Sequence, residues 1–465
     1  MKIKNQKLSI KKSHSDKDLI FKSFHLSILI FFILQFSFFS LNCNNKPTPP
    51  DNYTPSINIE LDELGVTEVW LKIKMQDASP LADIMLKRNN QIVNYFYSTH
   101  SDTVIIDTDL LPNQIYFYRA YKLLDNKIID SSSLLPVTTM DTTSHEFTWE
   151  LDSLGWIQSY VKGLWGSDIN NLYAVGYFTS AASSSSNLAR WDGSKWNYLR
   201  PDVINGLNGI RAGDLTNVFG ISPNKIWVVG YGFTQQWGRD STWGFVTEWN
   251  GTQWKNISPN APSEQFISVW ASSENDVWVT TMTGFIYHFN GFNWEKLSTS
   301  TTYYFSDIWG FSKNEIYVTG FPLDYSTGIV LKYDGQTLIR ENVLPINSIV
   351  SFKSIWGMNS KFLYVASDGG LFTNKQSVWV ESLFPGRDVA TEKVRGTQKN
   401  NVFVSGHFGK ILHFNGNSWK NYETQFVGSE FWVLGSIQAF ENDVFIGGSG
   451  GVGFERKGIV LRGRR

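Results

Sequence analysis

Leu164-Trp165-Gly166-Ser167-Asp168-Ile169-Asn170-Asn171-Leu172-Tyr173-Ala174-Val175-Gly176, continued at Arg190-Trp191-Asp192-Gly193-Ser194-Lys195-Trp196, is one copy of a phrase that returns seven times before the C-terminus. Each copy reads as an aromatic-glycine strand, a polar turn, an apolar strand, and a third and fourth strand joined by a tight hairpin. A period of about 40–50 residues built from four short strands predicts a β-propeller over residues 145–465.

Naming the strands A to D makes the spacing explicit. The strand A position holds Trp165, Phe219, Trp270, Trp309 and Trp356, and Arg395 in the sixth copy. Eight residues later stand Tyr173, Trp227, Trp278, Tyr317, Tyr364 and Phe403. Strand C ends in Trp191, Trp249, Phe289, Tyr333 and Phe414, and Trp196, Trp254, Trp294, Leu338 and Trp419 follow five residues on. Asp-Gly or Asn-Gly pairs lie between, supplying the positive φ of a hairpin turn. The seventh copy stops after Gly458-Ile459-Val460-Leu461-Arg462 with no strand D. Phe147-Thr148-Trp149-Glu150-Leu151 matches the strand D of the third copy, so the chain is expected to close a ring of seven blades with this early strand.

The A–B and C–D spacings hold while the other two vary. From the B to the C aromatic the distance runs from 11 to 22 residues in the first four copies. Strands alternate direction, so B–C and D–A connections leave on one face of the ring. Insertions concentrated on one face mark the expected binding surface. The richest is Tyr231–Trp243, with Trp237 and Trp243 for stacking and Gln236, Arg239 and Asp240 for polar contacts; Tyr325 lies in a second. Ser180–Ser186 is small and polar and reads as a mobile loop.

Ahead of the repeats, residues 52–141 alternate apolar and polar, as in Val69-Trp70-Leu71-Lys72-Ile73-Lys74-Met75. Several such runs in about 90 residues predict a β-sandwich. The segment Leu110-Leu111-Pro112-Asn113-Gln114-Ile115-Tyr116 resembles the Leu-x-Pro-x-x-x-Tyr pattern of fibronectin type III domains. The resemblance implies that the Tyr116 hydroxyl bonds back to nearby backbone.

Residues 1–42 read as a signal: a basic stretch ending near Lys22, the apolar run Leu26–Phe39, and a short exit. Cys43, the single cysteine, follows directly. This arrangement resembles a bacterial lipoprotein signal, which implies acylation of Cys43; Asn42 departs from the small residue usual before it. Residues 43–51, with Pro47, Pro49 and Pro50, read as a tether. The whole resembles a bacterial surface lipoprotein: a type III-like domain followed by a propeller of Trp-Gly or Asp-box-like repeats. It implies a lipid-anchored location at the cell surface or outer membrane, with secretion as the alternative.

The formal net charge is −1, but residues 1–42 hold seven Lys and two Asp, leaving 34 basic against 40 acidic residues beyond. A mildly acidic body gives no reason to expect nucleic acid. Asp276, Glu315 and Asp443 recur at A–B turns, where Asp side chains bond local backbone. His288 and His413 share one strand C position, and His100 and His145 stand alone. No metal or cofactor motif is found. The expectation is a non-catalytic propeller binding a protein or glycan. The competing expectations are a glycan-active hydrolase or transferase, and a structural adhesin or assembly scaffold.

Overall fold

The computed structural model describes residues 56–76, 82–180, 185–199, 211–236, 239–299, 303–322, 327–341, 343, 350–375, 378–382, 384, 390–422, 432–451 and 455–465. Cys43, the signal and the tether lie outside them.

Eight strands come first: β1 (Ile57–Leu64), β2 (Val69–Met75), β3 (Ala82–Arg88), β4 (Gln91–Ser98), β5 (Asp102–Asp107), β6 (Ile115–Leu124), β7 (Lys127–Ser131) and β8 (Leu135–Thr138). They form a β1-β2-β5 sheet and a β4-β3-β6-β7 sheet, with β8 also on β6. Alternate side chains of both sheets, among them Ile59, Leu71, Ile73, Leu86 and Tyr118, share one apolar core. Asn89 and Asn90, with φ of 50° and 67°, make the β3–β4 turn; asparagine tolerates this left-handed region better than most residues. The Tyr116 hydroxyl accepts a hydrogen bond from the Leu111 N–H at 2.9 Å. Replacing Tyr116 with Phe removes that acceptor, and a loss of about 1 kcal/mol is expected in urea denaturation.

The repeats fold as four-stranded antiparallel sheets, and the described residues contain seven of them. In the first, strands A to D are Tyr160–Asp168, Asn171–Thr179, Ser185–Trp191 and Trp196–Leu199. In the seventh, Val433–Ala439, Asp443–Gly450 and Lys457–Arg464 are joined by β9 (Thr148–Leu154). Trp149 lies opposite Gly463, and Leu151 opposite Leu461. Each strand A touches the strand A of the next sheet, and the first touches the seventh. The inner strands therefore line a closed ring, the geometry of a β-propeller.

Strand B is covered on both faces by neighbouring sheets, so it reads as a continuous apolar run; Val277, Trp278 and Val279 are all buried. The cores lie between sheets. Tyr173 and Val175 of the first sheet pack with Leu215, Val218 and Val228 of the second. The aromatic-glycine phrase of strand A follows from this packing. A Cβ placed on Gly220 would lie 2.6 Å from the Trp165 ring, and one on Gly310 would lie 2.7 Å from Trp270. Each indole thus occupies the space that the next copy's glycine leaves open. In the C–D hairpin, Gly193 takes φ of 95°. The Asp192 carboxylate accepts from the backbone N–H groups of Ser194 and Lys195 at 2.9 and 3.0 Å.

Candidate binding site at the mouth of the channel

The two faces of the ring differ in what covers them. On the face of constant turns, the end of β1 and the start of β2 pack against the fifth and sixth sheets. Glu63 pairs with Lys399 at 2.5 Å, and Asp62 with Lys361 at 2.6 Å. The Asn359 side chain donates to Glu63 at 2.7 Å, and Trp70 packs on Phe362 with ring centroids 5.1 Å apart. Burial holds the Lys399 ammonium below its ordinary value, against the pull of Glu63. The face of variable connections carries no such cover among the described residues.

On that variable face the inner strands begin, and the channel opens into a mouth of about 430 Å³. The residue three positions before the strand A aromatic faces it in every sheet: Lys162, Thr216, Ile267, Ser306, Lys353, Glu392 and, in the seventh, Gly435. A Cβ on Gly435 would meet nothing within 4 Å. Thr216 and Ser306 are tied into the scaffold, their hydroxyls donating to the carbonyls of Phe266 and Phe352 at 2.7 and 2.5 Å. Tyr304 stacks on Phe321 at 4.9 Å, and the Lys353 ammonium lies 5.1 Å from the Phe321 ring.

One residue deeper, the next position of these strands, Gly163 of the first sheet excepted, forms a polar belt. Asn217 donates to the Ser268 hydroxyl at 3.2 Å, and Ser268 to Asp307 at 2.9 Å. Ser354 donates to the same carboxylate at 2.7 Å, and Lys393 at 3.1 Å. Arg395, in the slot that is aromatic in the first five copies, donates to Asp307 at 3.1 Å and to the Ile355 carbonyl at 3.0 Å. Its guanidinium lies 5.2 Å from the Trp309 ring. Asp307 is fully buried, with side-chain exposures of 12% for Lys393 and 16% for Arg395. Burial alone would raise the Asp307 pKa, but the charges of Arg395 and Lys393 and the Ser354 hydrogen bond hold it well below the usual carboxylate range. Burial, reinforced by Arg395, brings the Lys393 ammonium down to about 8 against the opposing pull of Asp307. Below the belt the channel continues as a cavity of about 260 Å³, walled largely by Trp165, Phe219, Trp309, Trp356 and Ile308.

At the rim, Asp214 accepts from Tyr160 at 2.8 Å, Lys162 at 2.8 Å and Tyr231 at 3.2 Å. Burial, then the Asp214 charge, pushes the Tyr231 phenol up to about 12 and raises that of Tyr160 as well. Both phenols stay protonated donors at neutral pH. Glu392 is bonded to His407 at 2.9 Å. Among the described residues the carboxylates nearest the mouth, Asp214, Asp307 and Glu392, each have a protein partner.

Of the residues singled out for binding from the sequence, the side chain of Trp243 alone is described. Trp237 and Tyr325 lie outside the described residues. Gln236 pairs with Arg239, and Gln235 with Asp240, along a continuous hairpin that runs back to Ile226 and Trp249. The Tyr231–Trp243 insertion is therefore a β-ribbon in its described part, and the loop expectation is corrected: strand pairing satisfies its backbone polar groups. Trp243 is half-buried at a bridge to Pro262. Of Ser180–Ser186, residues 181–184 are not described, and Ser185 and Ser186 already pair with Thr179 and Phe178. His145 is not alone in the fold. Its Nδ1 lies 2.9 Å from Nδ1 of His413, whose pKa burial lowers to about 3. The hydrogen bonds of the Asp276 carboxylate run to side chains rather than to its turn's backbone: it accepts from Trp278 at 3.0 Å and lies 2.7 Å from His288 Nε2, because strand C runs beside it. Lys393, Asp307, Lys353 and Lys162 were missed. Their signal was present as a polar column just before the strand A aromatic, broken by the charge at Arg395.

No protein-family model matches the chain, and no curated protein matches it. Several solved structures are similar. YCF48 bound to D1 peptide is 17% identical, covering 70% of this chain and 100% of that one, with a TM-score of 0.49. U3-55K is 10% identical, covering 68% and 98%, with a TM-score of 0.49. The WD40 β-propeller domain of Doa1 is 11% identical, covering 67% and 96%, with a TM-score of 0.45.

Proposed function

We propose that this chain is an exported, lipid-anchored, non-catalytic binding protein of the cell surface. In this reading a signal precedes Cys43, residues 52–141 are a fibronectin type III-like sandwich, and residues 145–465 are a seven-bladed propeller. The ligand, a protein or glycan, enters at the mouth on the variable face. One observation carries the reading: each inner strand contributes one residue to an open mouth above a buried polar belt, while β1 and β2 pack on the fifth and sixth sheets at the opposite face. A ring built only as a scaffold has no need of Lys393 and Arg395 at its centre, where burying charge is costly.

Gly435 gives the test. A Cβ there meets no neighbour within 4 Å, so a tryptophan can be attached without a backbone clash and directs its indole into the mouth. The full chain and its Gly435→Trp variant are screened against arrays of glycans and of surface-extract proteins. Binders retained by the wild type and lost by the variant are expected. An unchanged set of binders removes the mouth as the site. Labelling with palmitate tests the anchor separately: label is expected in the wild type and absent in Cys43→Ala, and equal label in both ends that part of the reading.

A further inference from the structure

We propose that the mouth takes an acidic peptide, with a carboxylate seated against Lys393 and Lys353 and its aliphatic stem against Ile267, Tyr304 and Val433. This rests on the reading of the mouth as the binding site and names the class of its ligand. The charge balance points there. Lys162 is matched by Asp214 at 2.8 Å. Lys393 and Arg395 share the single carboxylate of Asp307. Glu392 also lines the mouth and is bonded to His407. Lys353 has the Phe321 ring beside it and pairs with no carboxylate among the described residues. Among the described residues four cations therefore stand against three carboxylates. Asp307 lies beneath the cations, so the surface that meets a ligand is the positive one. An ammonium has three donors, and Lys393 spends one on Asp307 while facing both the mouth and the channel below. An arriving carboxylate would complete its set with charge-assisted bonds.

Shape and polarity choose the peptide over an acidic sugar. The walls between the cations are apolar: Ile267, Val433 and the Tyr304–Phe321 stack. A glutamate side chain brings its charge on methylenes that match these walls. A uronic acid would press ring hydroxyls against Ile267 and Val433, stripping them of water without replacement. Each inner strand is also the terminal strand of its sheet, so its channel-side edge can bond a peptide backbone.

The test uses fluorescein-labelled, C-terminally amidated hexaglutamate and the detergent-solubilised full chain, read by fluorescence anisotropy. A labelled hexaserine with a free C-terminus distinguishes a terminal from a side-chain carboxylate. Saturable binding of the hexaglutamate is expected, and binding of the hexaserine alone overturns the proposal. Hexaglutamate binding should weaken at least tenfold in Lys353→Met/Lys393→Met and in Gly435→Trp, and persist in Lys353→Arg. Thermal melts show that the variants fold; Asp307 keeps Arg395 as its partner in the double variant. Affinity should also fall as pH rises through about 8, where Lys393, which shares this site with Asp307, Arg395, Glu392, Lys353 and Lys162, loses its proton. No saturable binding, equal affinity in the folded double variant, or displacement by hexagalacturonate at lower concentration than by unlabelled hexaglutamate overturns the proposal. If that happens while Gly435→Trp still loses array binders, the mouth remains the site and only the peptide class is wrong. If the array is unchanged too, the site itself is wrong.

Discussion

Asp307→Asn is expected to destabilise the protein by about 3–5 kcal/mol at pH 7, because it leaves Lys393 and Arg395 buried beside each other without a counter-charge. The amide keeps the shape of the carboxylate and can still accept from Ser354, so packing changes little and charge accounts for the loss. Ser354→Ala, which removes one of several donors to the same carboxylate, should cost about 1 kcal/mol. Combining Asp307→Asn with Lys393→Met should recover part of the loss, since one unpaired cation then remains instead of two. Chemical denaturation of the four proteins checks the order. The pH dependence separates charge from packing. Asp307 has a lowered pKa in the folded state, so its contribution is complete above the ordinary carboxylate value of about 4 and drains away as pH falls below it. The wild type should lose stability there more steeply than Asp307→Asn. Lys393 works in the opposite sense. Its folded value of about 8 lies below the unfolded one, so the unfolded chain binds more protons between the two, and its charging cost is relieved as pH rises from about 8 toward 10. A variant as stable as the wild type would mean that the two cations find other partners.

Leu154→Ala is expected to cost about 2–5 kcal/mol, the range for emptying a fully buried leucine site, while Leu151→Ala in the same strand should cost under about 1 kcal/mol. Leu154 is fully buried among Val161, Leu164, Phe178 and Val460, and Leu151 is half exposed. The comparison matters because β9 is the strand that joins the seventh sheet from the other end of the propeller chain. If it pins the ring, Leu154→Asp, which places a carboxylate in an apolar cluster, should release β9. Limited proteolysis would then cut near residues 148–154 before the sheets unfold. Equal melting temperatures for Leu151→Ala and Leu154→Ala would show that closure depends little on this strand.

Much of this architecture was legible because repetition multiplies a weak signal. A single Trp-Gly dipeptide says little. Six pairs eight residues apart define a register, and the register places Trp165 and Gly220 in neighbouring strands whose contact requires the missing Cβ. The incomplete seventh copy and the early Trp149 segment could be matched for the same reason. The channel was less legible. Lys162, Lys353 and Lys393 look like solvated lysines one at a time, and Asp307 looks like any strand-edge acid. Arg395 alone broke the pattern, and its partner lies 88 residues earlier. Connection length marks Trp237 and Trp243 on the variable face but carries no trace of its centre, because the A–B spacing is constant.

The sequence by itself determined the all-β repeat, the strand order within each copy, the partner of the unfinished last copy and the face on which variation falls. These follow from local chemistry: alternation, turn residues and aromatic-glycine pairs act over a few residues and are repeated. Only the tertiary structure decided that one position from each inner strand meets at a common centre, that two cations there share one buried carboxylate, and that β1 and β2 pack on the constant face. Those facts depend on closing the ring, which brings residues as far apart in the chain as Asn217 and Arg395 into one hydrogen-bonded belt and strips them of water. Burial gives a charge its energetic weight, and burial is a property of the closed ring that no single repeat contains.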